Sequence, residues 1–295
     1  MSDTDPTTHQ LDVPGARLYY ERRGSGPLLL LIGSPMDSGG FAGLADGMAE
    51  DYTVVTYDPR GVGKSTREDT SEDVTPELQA EDVNHLLASI GSEPAYVFGS
   101  SGGAVVGLAL ITAYPDQVRT LVAHEPPLVE LLPDADEVRP QFDDVYDMYR
   151  SGESDAAMQK FLAVTNVASG RGPGGPGGPG GGGGPGGGGP GGDGGWQPSP
   201  EDIERMRAMS EHFLGHLLLP TIRYRPDIDA LQAAPARIVV AAGSASKGQL
   251  ANRTAVALAD ALGTTVVEFP GDHAGFAMQP EPAARVLREV LIETS

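Results

Sequence analysis

Short blocks of continuous apolar residues recur along this chain, separated by longer stretches where apolar residues return every three or four positions. Leu28-Leu29-Leu30-Leu31-Ile32 is the first block, ended by Gly33, and Thr53-Val54-Val55-Thr56-Tyr57 is the second. Ala95-Tyr96-Val97-Phe98, Arg119 to Ala123, Arg237 to Ala242 and Thr264 to Phe269 follow. Runs of this length without polar alternation predict strands buried on both faces, as in a parallel sheet. Ahead of them, the alternation from Leu11 to Arg23 around Val13-Pro14-Gly15-Ala16 predicts a hairpin.

Between these strands the period becomes helical. A helix is expected after the loop Ser34 to Gly40, running to about Glu50. Thr75 and Pro76 hold N-cap and first-turn positions, Val83, Leu86, Leu87 and Ile90 recur at helical spacing, and Gly91 ends that helix. Ala104 to Ile111 is apolar on every side, which predicts a buried helix. Gln249 to Leu262 and a last segment carrying Ala283, Val286, Leu287, Val290 and Leu291 complete the set. Strands alternating with helices across short loops give an α/β class, a mostly parallel central sheet with helices on both faces.

From Leu128 to Ala168 and again from Trp196 to Ala234 the pattern is helical without strands, with Phe142, Val145, Met148 and Tyr149 on one face. Gly170 to Gly195 between them is almost entirely Gly and Pro. Its Gly-Pro-Gly triplets lose register after Pro179, which argues against a collagen helix and for a flexible tether. The expected organisation is a core whose first part is 1–126, a helical cap or lid over 127–235 with the tether at 170–195, and a second core part at 236–295.

Net charge is −21 over 295 residues, with no cysteine. Such an acidic chain is a poor partner for nucleic acid or an anionic membrane, and disulfides and thiolate chemistry are excluded. Met1 to Gln10 is polar and acidic, unlike a signal peptide, and no apolar run approaches the roughly 18 residues of a membrane span. A soluble, cytoplasmic protein acting on a small molecule is the expectation; oligomeric state is not readable.

The chemistry centres on Gly99-Ser100-Ser101-Gly102-Gly103, set between a strand and a buried helix. Gly-x-Ser-x-Gly in that context is the pattern of a nucleophile elbow. Strand and helix backbones pass too closely for side chains at the flanking glycines, which frame Ser101 rather than Ser100. A serine needs a base to take its proton and a third group to hold that base. Of six histidines, His9 falls in the polar tail, His85 on a helix, and His124 at a strand end. His212 and His216 have i, i+4 spacing but no evident third ligand, so no metal is assigned. Gly61-Val62-Gly63-Lys64-Ser65-Thr66 imitates the end of a phosphate loop. The glycine required upstream is Asp58, so Asp58, Arg60 and Ser65 are read as fixing a turn.

Taken in order, the loop Gly33-Ser34-Pro35, the segment Asp58-Pro59-Arg60-Gly61-x-Gly63-x-Ser65, the elbow at Ser101 and the late His273 resemble the α/β-hydrolase fold. In detail they look like the capped actinobacterial type with Gly-Ser-Pro-Met-Asp and His-Glu-Pro-Pro segments. The resemblance implies His273 as the base, oxyanion donors at Gly102 and Ser34, and no cofactor. Most relatives carry an Asp after the strand matching Ile238 to Ala242, but Gly243 to Gln249 has no carboxylate. Some carry the acid after the strand that follows the elbow helix, where Glu125 stands, giving Ser101–His273–Glu125. Ser at the apex disfavours the family's dehalogenase and epoxide-hydrolase chemistries, which need an aspartyl ester. A serine hydrolase of small, partly apolar carbonyl compounds is the leading reading. A cofactor-free non-hydrolytic enzyme on the same site, or a non-catalytic binding protein on this fold, remain as alternatives.

Overall fold

The structure, a computed structural model, describes residues 6–166 and 199–292. The Gly/Pro stretch 170–195 lies outside the described residues. Among the described residues nine strands form one sheet: β1 (Thr7–Val13), β2 (Ala16–Arg23), β3 (Leu28–Ile32), β4 (Thr53–Tyr57), β5 (Thr66–Arg67), β6 (Ala95–Ser100), β7 (Val118–His124), β8 (Arg237–Gly243) and β9 (Val267–Phe269). Their spatial order is β1-β2-β4-β3-β6-β7-β8-β9, with β5 alongside β2. Pairings from β4 through to β9 are parallel, and only those made by β2 are antiparallel.

Alternate strand residues point to opposite faces and both faces are covered by helices, so the apolar blocks carry no polar alternation. Leu30, Ile32, Val55, Tyr57 and Val97 face one layer of helices, 76–90, 102–113 and 250–262 among them. Leu29, Leu31, Val54, Tyr96 and Phe98 face the other, packed against helices 42–48 and 280–292. Leu30 has no exposed surface, and truncating such a residue to Ala costs about 2–5 kcal/mol. The chain leaves β3 in one direction for β4 and returns past it to β6, so the order reverses between β3 and β6. Beyond the carboxyl ends of strands at such a reversal, loops diverge and leave a crevice. The Ser34 loop and Ser101 both emerge there.

Between β7 and β8 the described residues form helices and no strand. Helices 135–150, 154–165 and 218–222 bury Val138, Phe142, Val145, Ala157, Leu218 and Ile222 in a cluster of their own. That cluster reaches the core at Leu250. Helix 200–212 runs into one turn of π-helix at 213–217, and there His212 Nε2 meets the Arg60 carbonyl at 3.2 Å.

Several boundaries differ from those the sequence predicts. Strand β1 begins at Thr7, so His9 sits in the hairpin with its ring stacked on Tyr20 at 4.9 Å, not in a tail. The side chains of its first four residues are exposed at the sheet edge, so no buried face marks the strand. Strand β9 starts only at Val267, because Gly263 ends the preceding helix in left-handed conformation and Thr264 to Val266 complete the turn out of it. The helix expected before Glu50 opens with a 3-10 turn at 38–41, capped by the Asp37 carboxylate accepting from Gly39 N–H.

Candidate active site

The elbow closes β6 and opens helix 102–113. Ser101 has φ 55° and ψ −127°, a conformation costing an L-residue about 1–3 kcal/mol. Backbone hydrogen bonds hold it there: its N–H donates to the His124 carbonyl at 2.9 Å, and its own carbonyl accepts from the N–H groups of Ala104 at 2.9 Å and Val105 at 3.4 Å. The glycine frame is steric. A Cβ on Gly99 would stand 2.5 Å from the Gly103 carbonyl oxygen, and one on Gly103 would run into the carbonyl of Ile32.

Across the crevice the loop after β3 comes against the first turn of this helix. A Cβ on Gly102 would lie 2.6 Å from the Ser34 carbonyl oxygen. Among the described residues neither the Gly102 nor the Ser34 N–H finds an acceptor. The positive end of a 12-residue helix adds to the pull on an anion at that point.

Glu125, one residue beyond β7, is wholly buried and also has positive φ, 49°. Its N–H donates to the Ala241 carbonyl at 2.9 Å, and its Oε1 accepts from Gly243 N–H at 2.9 Å. Its Oε2 lies 2.6 Å from His273 Nδ1. Burial alone would raise the carboxyl pKa. The hydrogen bond from His273, the electrostatic pull of the neighbouring imidazole rings, and the nearby Ser246 hydroxyl outweigh it and hold the group below its ordinary value. The buried Ser246 hydroxyl favours the carboxylate by proximity without a hydrogen bond of ordinary geometry.

His273 reaches Glu125 because the loop after β9 folds back over the end of β8. Ser244 N–H donates to the Phe269 carbonyl and Ala245 N–H to that of Gly271, both at 2.8 Å. Gly243 is indispensable to this approach, since a Cβ there would be 2.7 Å from the carbonyl oxygens of both Gly271 and Asp272. The His273 side chain keeps 19% of its surface open. Ser101 Oγ carries no hydrogen bond among the described residues, so the Ser–His join is the one left open. Such joins often tighten only when substrate is bound.

The other sequence candidates fall elsewhere. Asp58 ties its loop together, Oδ1 accepting from Ser38 N–H at 2.8 Å and Oδ2 from Lys64 N–H at 2.7 Å. Arg60 is paired with buried Asp82 through Nε at 2.7 Å, and Ser65 Oγ donates to the Asp58 carbonyl. The rings of His212 and His216 stand 6.0 Å apart, and burial lowers the pKa of His212 to about 4. Among the described residues no group of three or more His, Asp and Glu side chains is placed to hold a metal ion, and no helix is long and apolar enough to cross a membrane. Sequence reasoning missed what surrounds Glu125, namely the donor Gly243 N–H and the nearby Ser246 hydroxyl, as well as the bond between Ser100 and His124. The polar pair His124-Glu125 following the apolar run Leu121-Val122-Ala123 is the signal that marks the second of these.

A family model described as alpha/beta hydrolase fold matches residues 26–169. The chain is 33% identical over 286 residues to the uncharacterized hydrolase YraK of Bacillus subtilis (strain 168), covering 95% of this chain and 94% of that protein. It is 32% identical over 120 residues to the zearalenone hydrolase of Bionectria ochroleuca, 38% of this chain and 44% of that one. The solved thermophilic esterase of Thermogutta terrifontis superposes with a TM-score of 0.66 at 19% identity, covering 98% of each chain. The chain therefore belongs to the α/β-hydrolase family and is an enzyme of that family.

Proposed function

We propose that the protein is a serine hydrolase cleaving an ester, lactone or related carbonyl bond of a small, partly apolar molecule through an acyl-enzyme. One observation carries the reading: a fully buried carboxylate 2.6 Å from the Nδ1 of a part-exposed histidine, with a glycine-framed serine at positive φ bonded to the carbonyl just before that carboxylate. Ser101 is the nucleophile. His273 takes its proton through Nε2 and returns it to the leaving group, and the same ring then activates water for deacylation. Glu125 fixes the Nδ1–H tautomer and steadies the imidazolium as it forms. Because Glu125 keeps its charge below the ordinary carboxyl range, it serves this role across neutral and mildly acidic pH. The N–H groups of Gly102 and Ser34 stabilise the oxyanion, worth about 3–4 kcal/mol each.

In this reading the described helices that lie within 127–235 form a lid above the site, and their apolar residues favour a substrate of mixed polarity. The test is covalent labelling with a fluorophosphonate together with turnover of a panel of esters and lactones. Wild type is expected to label and to turn over at least one ester, and Ser101→Ala to do neither. A folded wild type that fails to label would overturn the reading in favour of a binding protein. Labelling without hydrolysis of any ester or lactone would favour a non-hydrolytic reaction at the same serine.

A further inference from the structure

His124 is the buried residue closest to this chemistry that the row of Ser101, His273 and Glu125 does not use. It is 1% exposed, ends β7, and touches both halves of the site. Its Nδ1 shares a hydrogen bond of 3.1 Å with Ser100 Oγ, and its carbonyl takes the N–H of Ser101. Its ring lies nearly parallel to that of His273, 6.2 Å between centroids and 29° between planes. Phe98, Phe269 and Phe276 enclose the remaining faces at 5.7–5.8 Å. A polar ring in an aromatic box is costly unless it has a partner, and Ser100 is the partner it has.

We propose that His124 is a positioning residue: it ties the elbow to the base by bonding Ser100 while its ring face supports that of His273. This rests on the assignment of Ser101 and His273 above. The arrangement sets two distances with one side chain. The bond to Ser100 fixes the residue before the nucleophile, and the stack limits rotation of the imidazole that must meet Ser101 Oγ. Burial holds the ring neutral at ordinary pH, so when His273 becomes an imidazolium it faces an uncharged ring rather than a second cation. Misplacing a reacting group by about 1 Å can cost about a hundredfold in rate, whereas substrate binding need not change.

The experiment compares Ser101→Ala, His124→Phe, His124→Asn and Ser100→Ala with wild type, reading kcat and KM separately on an ester substrate. Fluorophosphonate labelling rate and melting temperature are read alongside. Phe keeps a ring but loses Nδ1, and Asn offers a polar atom near the Nδ1 position. His124→Phe is expected to lower kcat and labelling rate about 10- to 100-fold with KM within about twofold, and His124→Asn to recover part of that loss. Ser100→Ala removes only one hydroxyl and should fold whatever becomes of the ring variants. It is expected to lower kcat, and in combination with His124→Phe to add little, since both break one unit. If Ser100→Ala and any folded His124 variant keep kcat within twofold of wild type, the inference fails. A loss appearing wholly in KM, or Ser100→Ala and His124→Phe effects that multiply, would also overturn it. Should wild type not label, or Ser101→Ala remain active, it is the serine-hydrolase reading itself that fails.

Discussion

The ends of β7 and β8 are neighbours in the sheet and divide one task between them. The end of β7 supplies the carboxylate, Glu125, at positive φ and with no exposed surface. The end of β8 supplies no acid, yet Gly243 N–H, the Ala241 carbonyl and Ser246 all serve Glu125. Gly243 also gives room for the His273 loop. The carboxylate thus grows from one strand and comes to rest against the next. What a histidine requires is a charge at a point in space, and the strand that carries it is free to vary so long as buried donors wait there.

Breaking that division should hurt most at the carboxylate. Glu125→Gln keeps the size and is expected to lower kcat/KM by about 10²–10⁴-fold, because an amide offers His273 no charge and permits the wrong tautomer. Near-wild-type turnover in a folded Glu125→Gln would show that the two strand ends do not share the task. Gly243→Ala comes next: displacing the Gly271 and Asp272 carbonyls moves His273, and a loss of about 10- to 100-fold in kcat is expected with a lower melting temperature. Ser246→Ala should be milder, less than about tenfold in kcat/KM, since its hydroxyl acts on Glu125 only by proximity.

The smallest effect is on stability. Burial holds His124 at about 4, between Glu125, whose charge favours the protonated ring, and His273, whose charge opposes it. In the unfolded chain a histidine titrates near 6.5, so the unfolded state binds more protons between these values. Stability is therefore complete above about pH 6.5 and falls as pH drops toward 4, by about 2 kcal/mol from pH 7 to pH 5. Denaturant unfolding at those two pH values should show that much less pH dependence in His124→Phe. Glu125 has the complementary window: its depressed pKa adds stability above the ordinary carboxyl range, lost only as pH falls through its lowered value.

Much of the fold was legible because the sheet is buried on both faces. Leu28 to Ile32 and Val54-Val55 could be nothing but interior, and glycines at 33, 91 and 243 marked where strands and helices stop. The first half of β1 was not legible, since the exposed edge residues Thr7 to Gln10 carry no pattern that burial would impose. Glu125 could be placed by its position after an apolar strand. What surrounds it could not be, because a backbone N–H at Gly243 leaves no mark on the sequence, and the fold of the His273 loop over β8 is decided by contacts some 30 residues apart.

The hydrogen bond from Ser101 N–H to the His124 carbonyl has a mechanical consequence. It moors the elbow to the peptide unit that leads straight into Glu125, so both depend on a single length of β7. The separation of the two is thereby set by one hydrogen bond and one peptide unit, like carriages on one coupling. His273 arrives from another loop, outside that coupling, and meets the pair through Glu125. In the proposed reading, constraints on that ring, rather than on the serine or the carboxylate, are what set its approach to Ser101.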